Sequence, residues 1–339
     1  RIAVGDVWWS GLPGSLPLPC RFAGILMVTR KPPLYLVDAS IYIFRHYFTL
    51  PQRWYSGEGY PTQAVYGYLG FLLDMLEQVQ PQFMAVAFDE SLGQCFRNTI
   101  YPDYKANREL PDDALAFQLR ACAEVTAILG ILTLASDSHE ADDIIGTLAE
   151  RGRYDGHPIA VISGDKDLAQ LLLDDDALLW DFDRTPARDR FAIKRELGVW
   201  PEQLADYLAL VGDRVDNIPG LPGVGVKTAI ELLAHCASLD GLLAAGSEIA
   251  NLPVRGAKQL PEKIAAHRQQ LLMAQSLTRI ALDAPVGEPA LQRAPIALDK
   301  LDDFCQRMGL GTTLKNRAVK LAHARGQTQR IVKEASHTR

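Results

Sequence analysis

The chain has 339 residues, of which 48% are hydrophobic and 22% are charged, and its formal net charge is −6. This composition excludes an intrinsically disordered chain, and no apolar run approaches the roughly 20 residues that a membrane-spanning helix needs. The five cysteines are scattered without CxxC pairs, which argues against both a disulfide framework and a cysteine-based zinc site. We therefore expect a soluble cytoplasmic protein without a membrane partner.

Residues 1–32 are predicted to be an N-terminal extension. They begin without methionine and are rich in glycine and proline, which indicates a disordered segment, or a true translation start at Met27. A secretory signal is the alternative interpretation, but Pro17, Pro19 and Arg21 interrupt the apolar stretch that such a signal requires.

After this extension, short apolar runs alternate with helical patterns. The runs are LYLVD, which ends at Asp38, FMAVAFD, which ends at Asp89, and PIAVISGDKD, which ends in two further aspartates. The spacing of apolar residues between them predicts helices over 63–80 and 112–129. Buried strands separated by helices are typical of a parallel sheet, so we predict an α/β fold with a mostly parallel central sheet flanked by helices.

Three further regions follow a different pattern. Residues 90–112 are too irregular for one helix and too long for an ordinary loop, whose median length is about 4 to 6 residues. Residues 201–310 are predicted to be helices joined by glycine- and proline-rich turns. Residues 311–339 contain many basic residues and a single acid, so we expect a mobile basic tail, part of which can be helical.

Carboxylates are concentrated after the predicted strands and in three short motifs. In open α/β sheets the carboxyl ends of the strands hold the ligand, so the sheet should bring these acids to one edge. Each group alone has a structural explanation, since acids stabilise a helix N-terminus by about 0.3 to 1 kcal/mol. Together they repel one another unless cations are bound. The nine acids are Asp38, Asp89, Glu140, Asp142, Asp143, Asp165, Asp167, Asp213 and Asp216.

Oxygen ligands of this kind suit hard cations. Mg²⁺, or Mn²⁺ in its place, is the usual cation of phosphate chemistry, whereas a zinc hydrolase should supply histidines, and the seven histidines show no HxxxH spacing. Two such ions about 3.5 to 4 Å apart can activate water and stabilise the leaving oxygen of a phosphodiester. When the nine carboxylates are set aside, the other residues carry a net charge of +3, so the overall charge is compatible with a polyanionic substrate.

The stretch GLPGVGVKTA, residues 220–229, allows two interpretations, a nucleotide-binding loop or a helix-hairpin-helix element. A Walker A loop requires lysine directly after its last glycine and a strand before it. Here Val226 separates Gly225 from Lys227, and the preceding LADYLALVGD has helical spacing. We therefore predict a helix-hairpin-helix over 212–234 whose second helix presents backbone amides to a DNA phosphate. The residues assigned to this contact are Gly220, Gly223, Gly225, Lys227 and Thr228.

Six motifs occur in the order and spacing of the bacterial 5′-nuclease family, namely VDAS, FD, FRNTIYPDYKANR, EADDIIGTLA, SGDKDLAQLL and GDRVDNIPGLPGVGVKTAIELL. From about residue 34 to about residue 310 the chain resembles this family. Its members are the 5′-3′ exonuclease domain of DNA polymerase I, stand-alone 5′-3′ exonucleases and flap endonucleases. The resemblance implies a metal-dependent nuclease core over 33–200 with a PIN-like sheet, and a helical DNA-binding region over 201–310.

The resemblance also implies two metal sites, and no acid of the pattern is missing. The acids matching the first metal site are Asp38, Asp89, Glu140 and Asp142. Those that complete it and build the second site are Asp143, Asp165, Asp167, Asp213 and Asp216. The full set favours an active nuclease.

Residues 90–112 resemble the helical arch of the family, through which a single-stranded 5′ end passes. Lysine and arginine can hold phosphates there, and the ring of Tyr104 offers a face on which a base can stack. Asn98 and Thr99 depart from the family, where an acid or a His-Glu pair is common, so arch order or end preference can differ. The matching arch residues are Arg97, Tyr104, Lys105 and Arg108.

These features predict a stand-alone, Mg²⁺-dependent 5′-3′ exonuclease and flap endonuclease. Its expected substrate is DNA with a free 5′ end or a 5′ flap, in replication or repair, with K⁺ at the hairpin as in the family and a DNA polymerase supplied by another chain. Two alternatives stay open. A DNA-structure-binding protein with weak or no catalysis would share the hairpin, although the intact Asp213 and Asp216 argue against it. A PIN-type ribonuclease would share the sheet and acids, but such domains generally lack both the arch and the glycine hairpin.

Overall fold

The computed structural model describes residues 31–91, 94–182 and 184–324. Most of the predicted N-terminal extension and the last fifteen residues of the predicted tail lie outside these ranges. The strands are β1 (Leu34–Asp38), β2 (Phe83–Asp89), β3 (Leu132–Ser136), β4 (Ile159–Ile162) and β5 (Leu178–Trp180). The helices are α1 (Ala39–Thr49), α2 (Gln63–Gln78), α3 (Phe96–Ile100), α4 (Asp113–Ile128), α5 (Ala141–Tyr154), α6 (Arg190–Leu197), α7 (Leu204–Val211), α8 (Val226–Cys236), α9 (Leu239–Ala245), α10 (Leu260–Ala266), α11 (Arg268–Thr278), α12 (Leu298–Arg307) and α13 (313–324).

The five strands form one parallel sheet in the order β3-β2-β1-β4-β5. The chain moves outward from β1 to β3 on one side and then crosses to β4 on the other, so the strand order reverses beside β1. Such a reversal opens a crevice at the carboxyl ends of the strands. The predicted α/β class with a parallel central sheet is confirmed, and the sheet places the ends of β1, β2 and β4 at one edge.

The near-continuous apolar character of the strands follows from burial on both faces of the sheet. Because side chains alternate along a strand, Leu34 and Leu36 face one hydrophobic core while Val37 faces the other. The first core contains α5 and continues into α7, α8 and α11, and the second contains α1, α2, α4 and α12. The helical region beyond residue 200 therefore shares a core with one face of the sheet.

Several boundaries differ from the sequence-based expectation. The helices predicted over 63–80 and 112–129 are α2 and α4, each within two residues of its predicted limits. The two outer strands β3 and β5 were not predicted, because β3 is only half-buried and β5 has three residues. The apolar pattern after residue 260 is divided into α10 and α11 at His267.

The described part of the predicted tail is a packed helix and not a mobile segment. In α13, Leu314 and Ala318 are buried in the core that contains α2 and α4. The guanidinium of Arg317 donates to Asp74 at 2.5 Å and to Glu77 at 2.7 Å on α2. Basic residues in this helix therefore neutralise acids of the chain itself, which the count of charges alone could not show.

No single helix of the described ranges is both long and apolar enough to span a membrane. The bent pair formed by Val226–Cys236 and Leu239–Asn251, at 77° to each other, meets the length and composition requirement only when its two members are taken together.

The packing of α13 can be tested with Leu314→Ala. Removing a buried leucine side chain costs roughly 2 to 5 kcal/mol when the site cannot collapse, and Leu314 is 4% exposed. We expect the free energy of unfolding, measured with urea, to fall by about 2 kcal/mol or more. Asn316→Ala on the exposed face of the same helix should change it by less than about 0.5 kcal/mol. Equal values for the two variants would show that α13 does not contribute to the core.

Candidate active site

Eight of the nine predicted acids line one cleft of about 360 Å³ at the carboxyl edge of the sheet. They come from five places in the chain: the end of β1, the end of β2, the start of α5, the segment after β4, and the turn after α7. Arg97, Lys105, Arg108 and Lys166 enter the same cleft. The eight acids are Asp38, Asp89, Glu140, Asp142, Asp165, Asp167, Asp213 and Asp216.

Asp38 lies at the centre of the edge and is fixed by its neighbours. It is the last residue of β1 and caps α1, where one carboxylate oxygen accepts from the amide of Ser40 at 3.0 Å. Its other oxygen accepts from the hydroxyl of Ser163 at 3.0 Å. Burial raises the pKa of Asp38 to about 6, and the charge of Asp165 adds to the effect. Two hydrogen-bond donors therefore fix the orientation of the Asp38 carboxyl group, while burial and the nearby Asp165 disfavour its charged form.

Asp165 and Asp167 follow β4, where the chain turns sharply. The backbone amide of Asp167 donates to Asp165 at 2.9 Å. Burial, together with the neighbouring Asp165, raises the pKa of Asp167 to about 7, and its Oδ1 atom is buried without a hydrogen-bond partner. A buried carboxylate oxygen without a hydrogen-bond partner, in an acid-rich cleft, fits the role of a cation ligand.

The chemistry of the donors fits divalent ions with hard character. Burial raises the pKa of Asp142, and the charges of Asp38 and Asp165 raise it further, as expected where like charges share one site. All eight donors are oxygens, which suits Mg²⁺ or Mn²⁺. Among the described side chains, no three of Asp, Glu, His and Cys already surround a common point as ligands would. The residues present therefore fit a metal in donor type and charge.

Asp143 is the predicted acid that does not line the cleft. Its side chain is completely buried and accepts from Arg97 at 2.7 Å on each oxygen. It also accepts from the amides of Glu140 at 3.1 Å and Ala281 at 2.8 Å. With every acceptor direction used in this way, the structure places Asp143 in a buried ion pair, and not among the carboxylates available to a metal.

The predicted arch contains one short helix, α3, followed by turns over 102–107. Tyr104 is 3% exposed and donates its hydroxyl to Glu140 at 2.8 Å. Its ring is therefore covered, which contradicts the expectation of a free face for base stacking. The ring is covered because its hydroxyl is hydrogen-bonded to the buried carboxylate of Glu140 and the ammonium of Lys105 lies 5.0 Å from the ring centre.

Lys105 and Arg108 supply positive charge to the acids. Lys105 forms an ion pair with Glu140 and lies 3.7 Å from Asp216, while Arg108 donates to Asp216 at 2.6 Å. Burial by itself would lower the pKa of Lys105, but Glu140 and Asp216 outweigh burial and raise it. Lys105 therefore stays protonated and acts as a fixed cation of the cleft.

The arch also contacts the turn that follows α7 through its backbone. The amide of Lys105 donates to the carbonyl of Asp216 at 3.1 Å, and Asn217 donates to the carbonyl of Asp103 at 2.8 Å. Lys105 and Asn217 both have positive φ, 53° and 58°, a conformation that asparagine tolerates better than lysine. The arch and the turn bearing Asp213 and Asp216 are thus joined at the cleft.

The hairpin between α7 and α8 shows why its glycines are needed. At Gly220 a Cβ atom would lie 2.3 Å from the backbone of Val211, so any side chain there is excluded. Gly223 has φ 78°, which favours glycine. Around Gly225 the space is open, and Gly225 with the exposed Lys227 borders the start of α8, where no side chain caps the free amides. The hairpin residues Gly220, Gly223, Gly225, Lys227 and Thr228 do not line the cleft.

Sequence reasoning missed Ser163 and Lys166. Ser163 is completely buried and links Asp38 to Asp165, since its hydroxyl donates to one and accepts from the amide of the other at 3.0 Å. Lys166 is in the cleft lining between two acids. Both belong to the motif SGDKD, so their proximity to Asp165 was the available signal.

Two family models cover most of the chain. Residues 33–198 match the 5′-3′ exonuclease N-terminal resolvase-like domain, and residues 199–300 match the 5′-3′ exonuclease C-terminal SAM fold. The chain belongs to the 5′-3′ exonuclease family. The resemblance inferred from the six motifs is confirmed.

Relatives of two lengths are similar to this chain. The 5′-3′ exonuclease of Buchnera aphidicola subsp. Schizaphis graminum is 33% identical over 259 residues, which are 76% of this chain and 90% of that protein. DNA polymerase I of Pseudomonas aeruginosa is 40% identical over 284 residues, which are 81% of this chain. The chain spans only 31% of that polymerase, so the similarity concerns one part of a longer protein.

A solved structure with the same fold comes from bacteriophage T5. Its flap endonuclease, in a pseudo-enzyme-product complex with DNA and metal ions, has a TM-score of 0.60 and 17% sequence identity. The superposition covers 86% of this chain and 100% of that one. The sheet and the helical region are therefore arranged as in a 5′ nuclease.

The raised pKa values predict how stability without metal depends on pH. The folded protein binds protons on Asp38 and Asp167 more tightly than the unfolded chain does. Their stabilising contribution to the free energy of unfolding is therefore full below about pH 4 and is lost as the pH rises through about 6 to 7. Asparagine at position 167 carries no charge, so the Asp167→Asn variant should lose less stability as the pH rises. In EDTA at pH 8 we expect it to melt several degrees above the wild type.

Differential scanning fluorimetry at pH 5.5 and pH 8 measures the effect. Asp155→Asn, at an exposed position outside the cleft, is the matched control and should melt like the wild type. A D167N variant that is no more stable than wild type at pH 8 would show that repulsion in the cleft is not the cause.

Proposed function

We propose that this chain is a divalent-metal-dependent 5′-3′ exonuclease and flap endonuclease that hydrolyses DNA phosphodiesters near a free 5′ end. The observation that carries the proposal is the cleft itself. It brings eight carboxylates from separated parts of the chain together with Lys105 and Arg108. Acids alone would suggest only cation binding, whereas acids beside fixed basic groups suit a phosphate held against metal ions.

The metal is proposed to be Mg²⁺, in two ions, with Mn²⁺ able to replace it. Asp38, Asp89, Glu140 and Asp142 would hold the first ion, and the acids of the other two segments would hold the second. Such ions supply Lewis-acid activation of water and stabilise charge on the departing oxygen. Asp143 is left out of the set, because its contacts with Arg97 and two amides occupy it. The residues proposed for the second ion are Asp165, Asp167, Asp213 and Asp216.

Lys105 and Arg108 are proposed to bind the scissile phosphate. Both groups already lie in the cleft beside Glu140 and Asp216. Their ammonium and guanidinium groups would donate to phosphate oxygens, where charge builds up during hydrolysis. Tyr104, beneath them, orients Glu140 through its hydroxyl.

The hairpin is proposed to hold the duplex. The uncapped start of α8 presents free amides beside the exposed Lys227, an arrangement that binds a backbone phosphate without reading sequence. Thr228 can add a hydroxyl donor to the same phosphate. K⁺ is proposed at carbonyls of this turn, as the family resemblance implies. The duplex is thereby anchored by one element and cut by another.

The biological setting is proposed from the relatives. Because the chain matches both a stand-alone exonuclease and part of a DNA polymerase I, we infer that it acts on DNA ends in replication or repair in the cytoplasm. A polymerase supplied by another chain would be the natural partner, since removal of a 5′ strand leaves a gap to fill.

The activity is tested with purified protein, Mg²⁺ and an end-labelled 5′-flap duplex. We expect products near the flap junction with wild type and none with EDTA. Asp165→Asn should lower the cleavage rate by at least about 100-fold, because it removes a charged ligand, while DNA affinity measured by fluorescence anisotropy changes less than about 3-fold. Asp155→Asn is the control and should cut like wild type. An Asp165→Asn variant that cuts at the wild-type rate would overturn the metal assignment.

The same assay separates the alternatives. Binding of the flap duplex without any cleavage in Mg²⁺ or Mn²⁺ would identify a DNA-structure-binding protein. Faster cleavage of the matching RNA strand than of DNA would identify a PIN-type ribonuclease.

The hairpin contact predicts a change in salt dependence. If Lys227 neutralises one phosphate, Lys227→Ala should reduce the slope of log K against log salt by about 1 and weaken binding equally for different sequences. Lys300→Ala on α12, which packs against α4, is the control and should keep the wild-type slope. Identical slopes for all three proteins would remove Lys227 from the DNA interface.

A further inference from the structure

Arg97 makes an unusually complete set of contacts for an arch residue. Its side chain is 3% exposed, and its guanidinium makes five hydrogen bonds, one for each N–H it carries. Three go to carboxylates, two of them to Asp143 at 2.7 Å and one to Glu140 at 3.1 Å. The other two go to the carbonyls of Leu277 at 2.8 Å and Arg279 at 2.9 Å. No donor is left to bind a phosphate.

These contacts connect the cleft to the C-terminal end of α11. Asp143 adds a second link there, since it accepts from the amide of Ala281 at 2.8 Å. Glu140 belongs to the cleft, and Arg97 is one of the donors to its carboxylate, while the backbone amide of Glu140 donates to Asp143 at 3.1 Å. The buried pair formed by Arg97 and Asp143 therefore joins a proposed metal ligand to the helical region.

The other end of α11 is connected to the hairpin. Gln270 donates to the carbonyl of Gly220 at 2.8 Å, which lies in the hairpin turn. Nearer the C-terminal end of α11, Gln275 donates to the buried Asp206 of α7 at 2.6 Å, and Thr278 donates to the carbonyl of Ala205 at 2.9 Å. Helix α11 thus runs from the hairpin to the Arg97–Asp143 pair, with side-chain hydrogen bonds at both ends.

We propose that the Arg97–Asp143 pair and α11 form a positioning strut, which sets the distance between the duplex held at the hairpin and the acids of the cleft and thereby selects the phosphodiester that is cut. The proposal rests on the proposed function. It assigns Arg97 and Asp143 a positioning role, because both act through Glu140 and α11 and neither has an atom free for substrate or metal.

The geometry explains why arginine is required at this position. A lysine could keep the charge opposite Asp143, but its single ammonium cannot reach two carboxylates and two carbonyls at fixed angles. Breaking a buried pair completely leaves an uncompensated charge and endangers folding. Arg97→Lys is therefore the informative variant, since it retains the charge pair while losing the links to the carbonyls of α11.

The test compares wild type and Arg97→Lys on an end-labelled 5′-flap duplex with Mg²⁺. We expect a fall in kcat of about 10-fold with KM changed less than about 2-fold, and at least a 3-fold rise in the fraction of products cut at neighbouring phosphodiesters. Mn²⁺ affinity, measured by isothermal titration calorimetry without DNA, should weaken about 10-fold, as when a residue that orients a metal ligand is replaced. Exchange of the Ala281 amide with deuterium should accelerate.

Arg317→Lys is the matched control, because Arg317 also donates to two carboxylates but lies far along the chain on α13. It should lose stability and keep the wild-type product pattern and Mn²⁺ affinity. If Arg97→Lys folds and shows wild-type products and Mn²⁺ affinity, the pair is merely structural and the proposal is overturned.

The outcomes also distinguish the strut from the activity. A wild-type protein that cuts no flap duplex in Mg²⁺ or Mn²⁺ would contradict the proposed function. Mn²⁺ affinity and exchange at Ala281 would still decide whether Arg97 connects Glu140 to α11. Should Arg97→Lys be too unstable to study, the neutral double variant Arg97→Met with Asp143→Asn gives the same measurements, and unchanged Mn²⁺ affinity in it would equally overturn the strut.

Discussion

Repulsion among eight carboxylates in one cleft is the constraint on which the rest of the site depends. Two unit charges 4 Å apart interact by about 1 kcal/mol in water and about 4 kcal/mol at the effective dielectric of a partly buried site. The folded chain reduces this repulsion in two ways. The pKa values of Asp38, Asp142 and Asp167 rise towards protonation, and Lys105 and Arg108 supply counter-charge from the arch. The conformation of the arch and the charge of the acid cluster therefore form one electrostatic unit.

The same constraint separates metal binding from DNA anchoring. The acids of the cleft repel a phosphate, so a duplex substrate would need an attachment point outside the cleft. The hairpin is the proposed attachment point, since close approach of Gly220 to Val211 fixes the turn that leads to the uncapped amides of α8. Gln270 of α11 donates to the carbonyl of Gly220 in that turn, and Arg97, which also contacts Glu140, donates to the carbonyl of Leu277 in the same helix. Separate anion sites joined by a rigid helix can place a phosphodiester over a metal-binding cleft without reading its sequence.

The sequence predicts those elements whose local hydrophobic pattern matches their burial in the fold. Strands β1 and β2 are apolar runs that end in acids, and β4 is an apolar run that acids follow closely. Their carboxyl ends lie at one edge because the strands are parallel. β3 and β5 escape prediction because half-buried or three-residue strands carry little pattern. The basic residues of α13 suggested a solvated tail, since their partners Asp74 and Glu77 are more than 200 residues away in the chain. Tyr104 was assigned an exposed face for the same reason, because its hydroxyl finds a carboxylate that only the folded chain brings near.

The motif EADD contains two adjacent aspartates that look equivalent in the sequence but have different surroundings in the fold. Successive residues of an α-helix are rotated by about 100°, so Asp142 and Asp143 cannot face the same surroundings. Glu140 and Asp143 are three residues apart and meet in the capping box, which turns Asp143 towards Arg97, while Asp142 is left facing Asp38 and Asp165. Helical geometry thus assigns one aspartate to the acid cluster and the other to the scaffold beneath it. A family pattern that counts both residues as acids cannot distinguish them. The contacts of each carboxylate in the folded chain do.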